Sequence, residues 1–237
     1  MAITVEDYAK HFDMALHLQS STEADIRQHA QAARKANVSG CYTNSFWVPV
    51  VAEELAGSDV RVGTAISFPY GCTSTAMKFA EIDEGLELGA TDVDMVVNIG
   101  ELRAGNLSFV EKEVAGLVER TQGKAWSKVI FEVCFLSDDE IATLTRICND
   151  AGVSFVKTST GSEGFPTEHQ VEIMRANITN GTTGLKVSGV PRTFTMAATL
   201  WMIDNLGVDL IGTRSAAKLV AQYKEFIERH PAGSKGN

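Results

Sequence analysis

Residues 128–158, KVIFEVCFLSDDEIATLTRICNDAGVSFVKT, contain two apolar runs separated by a polar segment with helical spacing. The runs at 128–135 and 153–158 are rich in β-branched and aromatic residues and too short for helices, so they predict buried strands. The segment between them opens near Ser137 and closes on Gly152, residue types that commonly flank a helix. Strands that are apolar on both faces indicate a parallel sheet with crossover helices.

The same alternation runs through the chain of 237 residues. Apolar runs that predict strands stand at 12–16, 38–43, 60–68, 92–99, 128–135, 153–158, 184–189 and 208–213. About eight strand–helix units in this length predict an α/β fold, the closed (β/α)8 TIM barrel. An open doubly wound sheet is the alternative, although no GxGxxG motif follows the first strand. We therefore expect one barrel domain over residues 1–237, with a loose polar tail from about residue 231.

The composition is that of an ordinary globular protein, with 44% hydrophobic residues, 22% charged residues and a formal net charge of −9. An acidic chain argues against nucleic-acid binding, which needs clustered lysines and arginines. No run approaches the ~20 apolar residues of a membrane span, and the amino-terminal segment lacks the apolar core of a signal peptide. The four cysteines show no metal-binding spacing, so we expect reduced thiols, a cytoplasmic location and no metal or other cofactor.

Two lysines stand at the ends of consecutive predicted strands, Lys157 on the sixth and Lys186 on the seventh. Barrel active sites form at these strand ends, and neighbouring strands lie about 4.8 Å apart. Two ammonium groups so close repel each other, so one loses its proton more readily and can form a Schiff base with a carbonyl. Asp94 on the fourth strand is a candidate proton carrier. The alternative is a lysine that extends to water and an aspartate with a structural role.

Other polar residues at the predicted strand ends are weaker candidates. On residue type alone, Glu132 is interpreted as a salt-bridge residue and Cys41 as a packing residue. His17, beside the first strand, lacks the partner spacing of a metal ligand. Asp92 shares the face of Asp94 but lies deeper, which favours a structural role. The further polar positions at these ends are Asp13, Asn98, Thr158, Ser159, Thr160 and Ser188.

Five motifs follow one another along the chain: ISFPYGCTST, DVDMVVNIGEL, KVIFEVCFL, FVKTSTG and GLKVSG. In their order and spacing they resemble the deoxyribose-phosphate aldolase family of class I aldolases, and the resemblance extends from Phe12 to about Leu219. It implies reversible cleavage of 2-deoxyribose 5-phosphate into acetaldehyde and glyceraldehyde 3-phosphate. The expected partners are therefore small aldehydes and sugar phosphates.

The resemblance also implies roles for individual residues. Lys157 would form the Schiff base, Lys186 would lower its pKa, and Asp94 would pair with Lys186 to handle protons. The implied substrate-binding residues are Asp13, Cys41 and Thr160, and Ser188 is a further candidate. The phosphate shell that we predict for this chain is Gly161, Gly189, Arg214 and Ser215, the last two standing where the family tends to have two serines.

The chain departs from the family pattern around the substrate. Ala15 stands where the family usually has a threonine, and Leu18 where many members have a lysine. Val190 and Pro191 replace a glycine-rich turn whose backbone amides bind phosphate, and proline has no N–H to donate. Arg214 adds a cation that can bind phosphate or a carboxylate bidentately.

These departures leave other functions open. One alternative is an aldolase of the same mechanism with a different or unphosphorylated substrate; others are another Schiff-base lyase and a metal-dependent aldolase. A non-catalytic sugar-phosphate-binding barrel is the non-enzymatic alternative. For a homodimer, the candidate anchors are Trp47, Phe79 and Trp201, although each also suits a core position under a helix.

Overall fold

Strands and helices alternate along the chain in the computed structural model, which describes residues 3–189 and 194–230. The strands are β1 (Phe12–Leu16), β2 (Gly40–Thr43), β3 (Arg61–Ile66), β4 (Asp92–Val96), β5 (Trp126–Ile130), β6 (Phe155–Lys157), β7 (Gly184–Val187) and β8 (Leu210–Gly212). The helices are α1 (Val5–Lys10), α2 (Glu23–Ala36), α3 (Val48–Leu55), α4 (Thr75–Glu87), α5 (Ile99–Arg103), α6 (Leu107–Thr121), α7 (Asp138–Ala151), α8 (Glu168–Ala176), α9 (Met196–Leu206) and α10 (Ala216–Arg229). Short 3-10 turns at Ser45–Trp47 and Val133–Phe135 follow β2 and β5.

The eight strands pair in parallel and in sequence order, and β8 pairs with β1. The sheet is therefore a closed barrel, which confirms the predicted (β/α)8 fold and excludes the open doubly wound sheet. The tail expected from about residue 231 lies outside the described residues. Within the described part of the chain, no helix is long and apolar enough to cross a membrane.

Local signals in the sequence set the ends of the helices. Thr22 and Asp25 form a capping box at the start of α2, and Ser137 and Glu140 form another at the start of α7. In each box the side chains accept the backbone N–H groups that the first helical turn leaves without partners. Gly152 ends α7 in the left-handed conformation, with φ of 75°, which costs glycine little because it has no Cβ.

The strands separate an apolar layer from a polar barrel interior. On β4, Val93 and Met95 belong to the apolar core, whereas Asp92 and Asp94 bond to lysines from other strands. Successive side chains of a strand point to opposite faces, so β4 contributes apolar side chains to one layer and carboxylates to the other. The interior that results is lined by charged groups, and it opens at the C-terminal ends of the strands.

A further buried ion pair lies outside the barrel, between α4 and α6. The Nζ atom of Lys78 lies 2.6 Å from Oε2 of Glu113, and both side chains are fully buried. Lys78 also donates to the carbonyl oxygen of Val96, and Glu113 accepts from Thr75. The pair therefore ties both helices to the end of β4.

Replacing Glu113 with alanine is expected to lower the free energy of unfolding by about 3–5 kcal/mol, because Lys78 would stay buried without its carboxylate. Chemical denaturation of both proteins measures the difference. Glu111→Ala, on an exposed position of the same helix, is the matched control and should change the free energy by less than about 0.5 kcal/mol. Equal effects of the two substitutions would contradict the assigned role of the pair.

Candidate active site

The C-terminal ends of the strands surround a cavity of about 510 Å³. The catalytic candidates Lys157 and Lys186 line it, and so do the substrate-binding candidates Asp13, Thr160 and Ser188. All four residues of the predicted phosphate shell line it as well. The fold thus brings residues that are up to some two hundred positions apart in the sequence to one cavity at the C-terminal end of the barrel.

One carboxylate oxygen joins the two lysines. Lys157 and Lys186 are register partners on β6 and β7. Oδ2 of Asp94 lies 2.7 Å from Nζ of Lys157 and 3.1 Å from Nζ of Lys186. Oδ2 of Asp13 lies 2.7 Å from the Lys186 amine. Lys186 therefore has two carboxylate partners, whereas Lys157 has one among the described residues.

A third lysine lies beneath this group, and the sequence analysis did not identify it. Lys128, the register partner of Asp94 on β5, places its amine 2.5 Å from both Oδ2 of Asp92 and the hydroxyl of Tyr42. It also lies 3.1 Å from Oδ2 of Asp13. The available signal was a lysine inside a buried apolar run, where an unpaired charge is costly.

Burial and charge set different pKa values for the two catalytic candidates. Burial lowers the pKa of Lys157 to about 8, with Lys186 adding to the effect and Asp94 opposing it. Burial alone would also lower the pKa of Lys186, but the carboxylates of Asp13 and Asp94 outweigh it and raise that pKa. The expected repulsion between the lysines is present, yet burial is the larger cause. Lys157 is consequently the amine that releases its proton first.

The carboxylates differ as well. Burial would raise the pKa of Asp94, but Lys157 and Lys186 outweigh it and hold that pKa well below its usual range. Burial raises the pKa of Asp92 to about 6, although Lys128 opposes the shift. Asp94 is therefore ionised in the free protein at neutral pH.

Glu132 holds the loop after β6. Its buried carboxylate accepts hydrogen bonds from the Thr160 hydroxyl and from the Thr160 backbone N–H, the latter at 3.2 Å. The salt bridge expected from the sequence is thus replaced, among the described residues, by bonds to this loop. Glu132 also has a left-handed backbone, with φ of 52°, which ends β5 earlier than the predicted run at 128–135.

The loops after β6 and β7 approach each other at two glycines. Gly161 and Gly189 have φ values of 90° and 84°, and a Cβ on Gly189 would lie 2.6 Å from the Cβ of Ser159. Ser188 strengthens the contact because its hydroxyl donates to the carbonyl oxygen of Ser159 at 2.5 Å. A side chain at either glycine would force the loops apart. Residues 190–193, including the unusual Val190 and Pro191, lie outside the described residues.

Arg214 and Ser215 line the cavity after β8, the strand next to β7, and stand directly before α10. Arg214 is exposed, and the backbone N–H of Ser215 donates to the Thr213 hydroxyl at 3.2 Å. The partial positive charge at the start of α10 adds to the guanidinium charge. This part of the cavity therefore favours an anion.

Cys41 is the one predicted site residue that the structure places in the apolar core instead. On β2 its neighbour Tyr42 lines the cavity, and adjacent side chains of a strand face opposite sides. Burial raises the pKa of the Cys41 thiol to about 12, so the thiol is unreactive as well as inaccessible. Ala15 and Leu18 do line the cavity, and Leu18 is 49% exposed.

Known proteins with similar sequences and structures identify the family. The deoxyribose-phosphate aldolase of Bacillus cytotoxicus is 40% identical to this chain over 186 residues, which cover 78% of the chain and 83% of the relative. This chain belongs to the deoxyribose-phosphate aldolase family. A second family member, from Bacillus cereus, is 39% identical over the same length. No family model matches the chain.

Solved structures of the family share the fold. A deoxyribose-phosphate aldolase from Aeropyrum pernix, described as tetrameric, superposes with a TM-score of 0.81 at 28% identity. The superposition covers 94% of this chain and 93% of that one. Within residues 3–189 and 194–230, no group of three or more His, Cys, Asp or Glu side chains could hold a metal ion.

Replacing Lys186 with methionine is expected to raise the pKa of Lys157, which burial and Lys186 together lower to about 8 in the native protein. The substitution removes a cation that repels the Lys157 ammonium group, and Lys186 no longer competes with Lys157 for the carboxylate of Asp94. Competitive acetylation of Lys157, followed by mass spectrometry from about pH 6 to 10, measures this pKa directly.

Lys35→Met, at an exposed position of α2, is the control for removal of one positive charge far from the cavity. It should leave the acetylation midpoint of Lys157 unchanged. A midpoint in Lys186→Met that stays the same or moves to lower pH would contradict the electrostatic role of Lys186.

Proposed function

We propose that this chain is a class I aldolase that reversibly cleaves 2-deoxyribose 5-phosphate to acetaldehyde and glyceraldehyde 3-phosphate. The observation that carries the proposal is the buried Lys157 amine, whose pKa burial lowers to about 8 while it contacts Asp94. Membership of the deoxyribose-phosphate aldolase family supports carbon–carbon lyase chemistry.

Lys157 acts as the nucleophile. With a pKa of about 8, roughly a tenth of the amine is neutral at pH 7. The neutral amine attacks C1 of the sugar, and loss of water from the carbinolamine gives an iminium. When the C3 hydroxyl loses its proton, the electron pair of the C2–C3 bond moves into the iminium, and glyceraldehyde 3-phosphate leaves. The resulting enamine takes a proton at C2, and water then releases acetaldehyde and free Lys157.

Asp94 and Lys186 manage the protons of these steps. Oδ2 of Asp94 contacts both amines, so it is placed to accept the proton that Lys157 gives up. Once Lys157 has lost its charge, the first of the three lysines that depress the pKa of Asp94 no longer does so, and the carboxyl can hold a proton. Lys186 stays charged because Asp13 supports it, so it orients Asp94 throughout the cycle.

The phosphate of the substrate occupies the electropositive edge of the cavity. Arg214 supplies a guanidinium, and Ser215 stands at the start of α10, where backbone N–H groups favour anions. Gly161 and Gly189 allow a ligand close to the backbone of the loops after β6 and β7, since neither carries a side chain. These four residues come from three separate loops, so binding of the phosphate also fixes their relative positions.

A substrate without phosphate is the second candidate, and one observation favours it. Leu18 is 49% exposed at the cavity, and Ala15 beside it adds no polar group. Neither of these two side chains can bind a phosphate, so they favour an unphosphorylated aldehyde.

Location and assembly belong to the same proposal. The four cysteines are free thiols, as is usual in the reducing cytoplasm.

For a homodimer, Trp201 on α9 is the better anchor because it is 43% exposed. Trp47 and Phe79 are partly buried against the core.

The Schiff base is tested by trapping. Purified protein is mixed with acetaldehyde, reduced with borohydride and mapped by mass spectrometry. We expect a two-carbon adduct on Lys157, because its amine is the one most readily neutral, and no adduct at this site without reductant. Lys157→Ala is the control for labelling of other lysines. Modification of surface lysines alone would refute the proposed mechanism.

Phosphate recognition is tested by the ratio of kcat/KM for glyceraldehyde 3-phosphate to that for glyceraldehyde. Arg214→Ala should lower this ratio about tenfold or more, because a charge-assisted contact to phosphate is lost. Arg229→Ala, on an exposed position at the far end of α10, is the matched control and should not change the ratio. A native ratio near one would instead favour the unphosphorylated substrate.

A further inference from the structure

His17 lines the cavity, yet none of the steps above uses it. Its ring packs on Phe68, with centroids 4.9 Å apart and planes inclined by 33°. Its Nδ1 atom lies 3.3 Å from Oδ1 of Asn44. A ring held on one face and at one nitrogen has a fixed orientation, which is what a recognition group needs.

The contact with Asn44 fixes the tautomer. The side-chain oxygen of Asn44 can only accept a hydrogen bond, so Nδ1 of His17 carries the hydrogen and donates. In a neutral ring the other nitrogen, Nε2, then has a lone pair and accepts. Within residues 3–189 and 194–230, no hydrogen bond is made by Nε2.

The surroundings keep the ring neutral. Burial lowers the pKa of His17 to about 4, and the positive charge of Lys157 adds to this effect. His17 and Lys157 line the same cavity. His17 is therefore an acceptor throughout the pH range in which Lys157 loses its proton.

We propose that Nε2 of His17 accepts a hydrogen bond from the C4 hydroxyl of the bound sugar phosphate, an assignment that rests on the proposed function. The aldehyde and the phosphate dianion offer acceptors alone, so a neutral acceptor can recognise only a hydroxyl of this substrate. The C3 hydroxyl becomes the carbonyl of the product during cleavage. The C4 hydroxyl keeps its proton, and it is the C2 hydroxyl of glyceraldehyde 3-phosphate in the reverse reaction.

Asn44 is the positioning residue in this arrangement. It precedes the 3-10 turn at Ser45–Trp47, but its side chain makes no capping hydrogen bond there. Its side chain is thus available to His17, and it selects the tautomer that leaves Nε2 as the acceptor.

The test compares two aldehydes, with acetaldehyde as the common partner: glyceraldehyde 3-phosphate and 3-oxopropyl phosphate, which lacks the C2 hydroxyl. The native protein should prefer the hydroxylated aldehyde by about tenfold or more in kcat/KM, because the analogue leaves the histidine acceptor unpaired. His17→Leu should bring the preference close to one, and His17→Gln, which restores an acceptor oxygen, should recover part of it. An unchanged preference in His17→Leu would overturn the proposal and leave His17 as a packing partner of Phe68.

Asn44→Ala tests the same contact without changing the histidine. It should lower the preference for the hydroxylated aldehyde and move the ¹⁵N chemical shifts of His17 away from those of the Nδ1–H tautomer. A native preference in a variant whose shifts had moved away from the Nδ1–H tautomer would also overturn the proposal, even if His17→Leu did not fold, because the acceptor would then be lost without consequence. Failure of the proposed function is distinct, because the native protein would then form no acetaldehyde adduct on Lys157.

Discussion

The contact of one Asp94 oxygen with two lysine amines is the interaction on which the barrel interior depends. Asp94 shares Lys186 with Asp13, and Asp13 in turn contacts Lys128. Charges this deeply buried are tolerated when each has a partner, whereas removal of one partner leaves an uncompensated charge. Among the described residues Lys157 has one carboxylate partner and Lys186 has two, and this difference makes Lys157 the amine that loses its proton first. The lower pKa of Lys157 thus follows from its having fewer carboxylate contacts than Lys186.

The register of the sheet makes this sharing possible. Lys128 is paired with Asp94 on one side of β5, and Lys157 with Lys186 across β6 and β7. A shift of one residue in any of these strands would move its charged side chains to the apolar layer, because side chains alternate between faces. Closure of the barrel prevents such a shift, since each strand has a neighbour on both sides.

The sequence predicted the order of the strands and the adjacency of Lys157 and Lys186, because apolar runs mark strands and consecutive strands of a barrel are neighbours. It did not predict Lys128. For Cys41, the residue type favoured the packing position that the structure shows, whereas the family resemblance implied contact with the substrate. Runs that are apolar throughout do not show which residues face the interior, so the side of each residue became known only from the register. Contacts across the barrel, such as that of Lys128 with Asp13, join residues that are far apart in the sequence. The left-handed Glu132 is likewise a property of the loop it supports, since its side-chain type favours no such conformation.

Burial at the cavity affects two nitrogen-bearing side chains in the same way. For both Lys157 and His17 burial is the largest cause of a lowered pKa. For the lysine, the neutral form is a nucleophile. For the histidine, the neutral form is the acceptor that the proposed hydroxyl contact requires. Since burial lowers both pKa values, a change that admitted water to the cavity would raise the pKa of Lys157 and that of His17 together. The proposed nucleophile and the proposed acceptor for the C4 hydroxyl would then be protonated to a greater extent at the same pH.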